Sequence, residues 1–169
     1  DVKGSGNGAC TGGITGWSYY DYDDSNWQYK AEITNCVNTG SVSGNCSLED
    51  ENEDDNFVPT IHVGGIAGLN RYDITDCTNT GSVTGHGYVA RIGGVAGETY
   101  GGTVSGCYNR GEVSCSNEDS ADDVGGIVGY NSGFYNSIDD YFDGVVENCY
   151  NFAEIKGGMS VGGVVGYNN

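Results

Sequence analysis

Val63-Gly64-Gly65-Ile66-Ala67-Gly68 is the stretch on which the chain turns, because the phrase returns with only its apolar letters changed. It reads GGITG at 12–16, GGIAG at 64–68, GGVAG at 93–97, GGIVG at 125–129 and GGVVG at 162–166. The residue before each later copy is apolar, Val63, Ile92, Val124 or Val161; Thr11 stands there in the first. Self-similarity at a fixed spacing is the mark of a repeat architecture.

A second phrase follows each of the first four copies: ITNCVNTGSVSG at 33–44, ITDCTNTGSVTG at 74–85, VSGCYNRGEVSC at 104–115 and VENCYNFAEIKG at 146–157. Aligning them sets Cys36, Cys77, Cys107 and Cys149 in one column. Asn38, Asn79, Asn109 and Asn151 form a second, and Val42, Val83, Val113 and Ile155 a third. The shortest interval, from Gly64 to Gly93, shows the unit without decoration. Within it lie three β-prone runs, 63–67, 73–78 and 81–84, separated by Gly and Asn turn signals, and no sustained helical period.

These features predict a single all-β domain over 1–169, a parallel β-solenoid (β-helix) of about four to five coils with long loop inserts. Stacked coils repeat every ~4.8 Å. An apolar column then becomes a stripe and an Asn column a ladder of amides. The expected inward columns are Ile66, Val95, Val128 and Val165; Ile33, Ile74, Val104 and Val146; and the Val42 column. The paired glycines predict a tight corner.

The two phrases together resemble the GLUG motif, two glycines, an aliphatic residue, a small or aliphatic residue and a third glycine, then the Cys-Asn-Gly-Val phrase. The resemblance spans Gly12 to Gly166 apart from the inserts. It implies an extracellular, non-catalytic protein of the bacterial secreted or surface adhesin-like type, and it supplies a scaffold without site residues.

Composition narrows the partners. Lys plus Arg is 6 against 24 Asp plus Glu, and a net charge of -18 excludes nucleic acid and anionic membrane as natural partners. No apolar run approaches the ~20 residues that cross a bilayer, so no membrane insertion is expected. The chain opens at Asp1 without an initiator Met or a signal peptide, as a processed mature chain or a piece of a longer one would. The triplet Asn45-Cys46-Ser47 makes Asn45 a glycosylation acceptor in a eukaryote.

The inserts carry the candidate chemistry. Asp21, Asp23, Ser25 and Glu32 have the oxygen-ligand spacing of a calcium loop, although Asn26 replaces the turn glycine; the alternative is a solvated acidic loop. Calcium is the one cofactor the sequence offers. Trp17, Tyr19, Tyr20, Tyr22, Trp27 and Tyr29 in one insert, with Phe134, Tyr135, Tyr141 and Phe142 in another, suit a glycan or a protein surface, or else cover the solenoid's flank.

Seven cysteines cannot all pair within one chain. Cys36, Cys77, Cys107 and Cys149 are expected to stack inward as small apolar residues, and Cys10 with Cys46 is the favoured disulfide. His62 and His86 fall near Arg91 and Cys46 in the alignment and read as turn residues rather than a catalytic pair. The column Thr39, Thr80, Arg110 and Phe152 is too irregular for an ice-binding array. Neither end shows a helix or a distinct cap, which predicts either an excerpt of a longer array or head-to-tail self-association through open solenoid ends. The expected function is thus a non-enzymatic filament subunit or adhesin stalk segment, with a calcium-assisted binding module as the alternative.

Overall fold

The computed structural model describes residues 1–6, 8–18, 32–46, 60–116, 122–135 and 141–169. Among them, every regular element is a strand, and five parallel sheets stack the repeats into a β-solenoid. The entry wall contains Cys10–Gly12, Thr60–Gly64, Val89–Gly93, Asp123–Gly125 and Ser160–Gly162. The exit wall contains Thr15–Ser18, Ala67–Asn70, Ala96–Tyr100, Val128–Ser132 and Val165–Asn168. An isoleucine wall follows, Glu32–Thr34, Asp73–Thr75, Thr103–Ser105 and Val145–Glu147. Next comes an asparagine wall, Val37–Asn38, Thr78–Asn79, Tyr108–Asn109 and Tyr150–Asn151. A valine wall closes the coil: Val2–Ser5, Val42–Asn45, Val83–His86, Val113–Cys115 and Ile155–Lys156.

Each coil therefore has five short strands, not the three expected. Two corners split the predicted runs. The first is the Gly-Gly pair, which divides the glycine phrase between the entry and exit walls. The second lies just before the Cys column, where Asn35, Asp76, Gly106 and Asn148 have φ of 54°, 53°, 63° and 52°. Asn, Asp and Gly are the residues that tolerate this left-handed conformation, so the chain turns there at low cost.

The glycines also divide the core in two. Entry and exit walls back onto each other so closely that a Cβ on Gly97 would lie 2.5 Å from the Val63 backbone nitrogen. On one side Val42, Ile61, Val63, Val83, Ile92, Val113 and Val124 form a cluster between the valine and entry walls. On the other, Ile66, Ile74, Cys77, Val95, Val104, Cys107 and Ile127 pack among the remaining walls. The expected set Ile66, Val95, Val128 and Val165 joins two neighbouring columns. Register pairs Ala67, Ala96, Val128 and Val165 with one another, while Ile66, Val95 and Ile127 occupy the adjacent position; in the inner coils both are buried because the chain bends between them.

The ladders form. Asn38 Nδ2 donates to Asn79 Oδ1 at 2.8 Å, Asn79 to Asn109 at 2.8 Å and Asn109 to Asn151 at 2.9 Å. Each amide also holds the carbonyl two residues on, Gly40, Gly81, Gly111 or Ala153. The Cys column is more than apolar filling. The backbone N–H of Cys36, Cys77 and Cys107 each donates to the thiol sulfur one coil on, at 3.4 Å. Each of those sulfurs is in turn within hydrogen-bonding reach of a carbonyl of the preceding coil, Ile33, Ile74 or Val104. A thiol can serve as weak donor and weak acceptor at once, which Ala cannot.

All seven cysteines are free, so the expected Cys10–Cys46 bridge is not made. The two lie on opposite sides of a wall. Cys46 is buried in the core cluster beside the valine wall. Cys10 is in register with His62, whose neighbours Ile61 and Val63 point into that core, so alternation turns Cys10 outward.

Candidate functional site

At the pinch between entry and exit walls, two outward columns face each other. Entry-wall register aligns Cys10, His62, Arg91, Asp123 and Ser160. Exit-wall register aligns Trp17, Leu69, Glu98, Tyr130 and Tyr167. One carboxylate thus sits in an otherwise apolar and aromatic column, nearly buried at 5 % exposure. It is paired from across the pinch. His62 Nδ1 is 2.9 Å from Glu98 Oε2, and Arg91 Nη1 contacts the same oxygen. The Arg91 guanidinium also lies 3.9 Å from the centre of the Tyr130 ring.

Burial alone would raise the Glu98 carboxyl; the hydrogen bond and charge of His62, with Arg91 behind it, outweigh burial and hold it below its ordinary 4.5. Asp123 is raised by its own burial, against a hydrogen bond from Ser160 and the charge of Arg91. Burial, with the Glu98 charge added, pushes the Cys10 thiol up to about 11. Cys10 is therefore a protonated thiol at neutral pH, without the thiolate that nucleophilic catalysis uses. A cleft of about 320 Å³ opens here, lined chiefly by His62, Leu69, Arg71, Arg91, Glu98 and Tyr100.

The second aromatic insert begins beside this cleft. Phe134–Tyr135 and Tyr141–Phe142 pair as an antiparallel ribbon. Phe134 stacks between Tyr100, at 5.4 Å, and Phe142, at 5.1 Å, and the Arg71 guanidinium lies 4.8 Å from the Tyr100 ring centre. In that inner row Phe134 is half-buried and Phe142 is 37 % exposed. Tyr135 and Tyr141 touch at 4.7 Å and form the outer row, 71 % and 47 % exposed.

Trp17, 52 % exposed, lies on the exit wall three coils from Val128–Ser132, the strand that leads into the ribbon, roughly 14 Å along the stack. Tyr19, Tyr20, Tyr22, Trp27 and Tyr29, and Asp21, Asp23 and Ser25 of the calcium loop, lie outside the described residues. Glu32 is exposed at the start of the isoleucine wall, in register with Asp73. Among the described residues, no group of three His, Cys, Asp or Glu is set to hold a metal ion, and no helix is long and apolar enough to cross a membrane. Asn45 ends a valine-wall strand with its side chain exposed.

Two features escaped the sequence reading. Glu98 was visible as the one carboxylate in its column, but its pairing with His62 and Arg91 depends on the fold at the pinch. An exposed strip on the asparagine wall stacks Tyr108 on Tyr150 at 5.5 Å, with Phe152 beyond and Arg110 4.8 Å from the Phe152 ring centre.

The sequence matches the family model of the GLUG motif over residues 7–43, 60–84 and 120–156. Neither curated proteins nor solved structures give a match. The segment between the second and third matches holds the copy at 93–115, whose apolar columns are fully buried in the stack. With more than half of its length matched and every coil built on the same two phrases, the chain belongs to the GLUG-motif family.

Proposed function

We propose that this protein is a non-enzymatic, extracellular structural and adhesive solenoid, a stalk segment or filament subunit that stacks end to end with further coils of the same pattern. The observation that carries this reading is the state of the columns at the two ends of the stack. Val63, Ile92 and Val124 are fully buried, whereas Val161, next in register, is 51 % exposed. Ile66, Val95 and Ile127 are fully buried, whereas Ile14 and Val164 of the outer glycine phrases are 46 % and 40 % exposed. Among the described residues, each outer strand of the five sheets pairs with one neighbour only. Another rung of identical spacing satisfies both defects at once, and a heterologous contact of that kind propagates.

The high Thr, Ser, Asn and Tyr content of the outer faces and the -18 charge suit a solvated surface element. Calcium in the 21–32 loop and a glycosylated Asn45 are compatible additions to this reading. Electron microscopy of the purified chain across a concentration series, with and without a calcium chelator, tests it. The expected result is particles lengthening along one axis, built from coils ~4.8 Å apart. Monodisperse single particles at every concentration would overturn the filament-subunit reading.

A further inference from the structure

The five walls do not end level. The valine, entry and exit walls each hold five strands, whereas the isoleucine and asparagine walls hold four. At the C-terminal end of the stack, Ile155–Lys156 and Val165–Asn168 therefore stand one rung beyond Val145–Glu147 and Tyr150–Asn151. They flank a recess one strand deep, ~4.8 Å, whose floor includes the exposed Val145, Tyr150 and Phe152. The floor lacks partners in a set pattern. In the coils below, the carbonyls of Cys36, Cys77 and Cys107 accept from the N–H of Thr78, Tyr108 and Tyr150, and those of Asn38, Asn79 and Asn109 from Thr80, Arg110 and Phe152. Among the described residues, no donor reaches the carbonyl of Cys149 or Asn151. Asn151 Nδ2 donates to Ala153 alone, where Asn38, Asn79 and Asn109 each donate to the next amide as well. The aliphatic column Ile33, Ile74, Val104 and Val146 breaks off at the same level.

We infer that this recess captures an extended segment of another polypeptide by strand addition, a segment with an aliphatic residue, a cysteine three positions on and an asparagine two beyond that. Two of its backbone N–H groups donate to the Cys149 and Asn151 carbonyls, and its asparagine oxygen accepts from Asn151 Nδ2. Its aliphatic side chain covers Val146. Main-chain bonds supply the attraction, and the side-chain columns supply the selection. The residue before the cysteine must also accept the left-handed turn that Asn35, Asp76, Gly106 and Asn148 make. The chain's own phrase Ile33–Gly40, ITNCVNTG, meets every one of these conditions. The inference deepens the end-to-end reading and rests on it for the premise that the columns at this end accept another rung. The two fail separately, since capture is read on the dilute single chain and assembly by microscopy.

Titration calorimetry of the intact chain in reductant tests it with the end-blocked peptide ITNCVNTG, the same peptide carrying Asn38→Ala, and a scrambled order of the same residues. The first peptide is expected to bind one to one, the Asn38→Ala peptide about tenfold more weakly, and the scrambled peptide not at all. Hydrogen exchange is expected to slow over residues 145–152 when the first peptide is bound. In the protein, Asn151→Ala should lower affinity by a similar factor, while Val37→Asp, at the opposite end of the asparagine wall, leaves it unchanged. Were Asn151→Ala to misfold, the peptide series on the unaltered protein still decides the question. Equal binding of the Asn38→Ala or scrambled peptide, undiminished binding by folded Asn151→Ala, slowed exchange over 32–38 in place of 145–152, or no binding at millimolar concentration would each overturn it.

Discussion

The coil at 89–115 and the coil that ends at 165–168 use the same letters and meet different surroundings. In the first, Ile92, Val95, Val104, Cys107 and Val113 have no exposure; in the second, Val161 and Val164 are about half open. Asn109 is buried with four hydrogen bonds, to Asn79, to Asn151 and two to Gly111, whereas Asn151 is half-buried with three. A Cβ on Gly94 would overlap the Gly126 carbonyl and the Asn109 amide, but one on Gly163 meets nothing within 4 Å. A repeat's contribution thus depends on having a neighbour on each side, the nearest-neighbour behaviour expected of a solenoid.

Substitutions that remove this contrast, or exaggerate it, test the account. Gly94→Ala has the largest expected effect, a loss of about 4 kcal/mol or more by urea unfolding, because the Gly126 carbonyl and the buried Asn109 amide must both shift to admit the methyl. Asn109→Ala follows at roughly 3 kcal/mol, since it leaves buried donors and acceptors of Asn79 and Gly111 unpaired; Asn151→Ala is expected to cost only about 1 kcal/mol. Equal losses at the two positions would contradict the neighbour argument.

Glu98→Gln removes the shared anion of a nearly buried cluster and is expected to cost roughly 3 kcal/mol at neutral pH. The sign of its pH dependence follows from a carboxyl held below its ordinary 4.5. The stabilisation is complete above that value and is lost as pH falls through the lower folded value. The stability difference between wild type and Glu98→Gln should therefore shrink in acid, and a difference that grew there would refute the assignment. Lys156→Gln has the smallest expected effect. Lys156 bridges Glu112 and Glu154 at the surface, and thermal unfolding of the variant should match the wild type within error.

The solenoid was legible because its register is written in columns: once Cys36, Cys77, Cys107 and Cys149 align, Asn and Val fall into line behind them. The strand count was not. Seeing five strands requires recognising Asn35, Asp76, Gly106 and Asn148 as one left-handed column, a signal that lay in the sequence as Asn, Asp and Gly before each Cys. Val128 and Val165 were assigned to the wrong column because two adjacent apolar residues follow each of the four later Gly-Gly pairs, and only the corner explains how both positions are buried in the inner coils. The Cys10–Cys46 bridge failed on wall alternation, which places the two thiols on opposite faces. The cleft was the least legible part. His62, Arg91 and Glu98 are brought together by two walls touching through glycine, a contact that spacing along the chain does not encode.

The central claim, that the columns continue through the open end, is tested most directly at Gly163. The position corresponds to Gly94 but faces no neighbour in the single chain. Unfolding and electron microscopy of Gly163→Ala, side by side, separate the chain from the stack. The account predicts unchanged stability of the dilute monomer together with loss of end-to-end assembly, because the added methyl meets the glycine carbonyl of the next coil, as a Cβ on Gly94 or Gly126 would. Assembly as extensive as that of the wild type would contradict it.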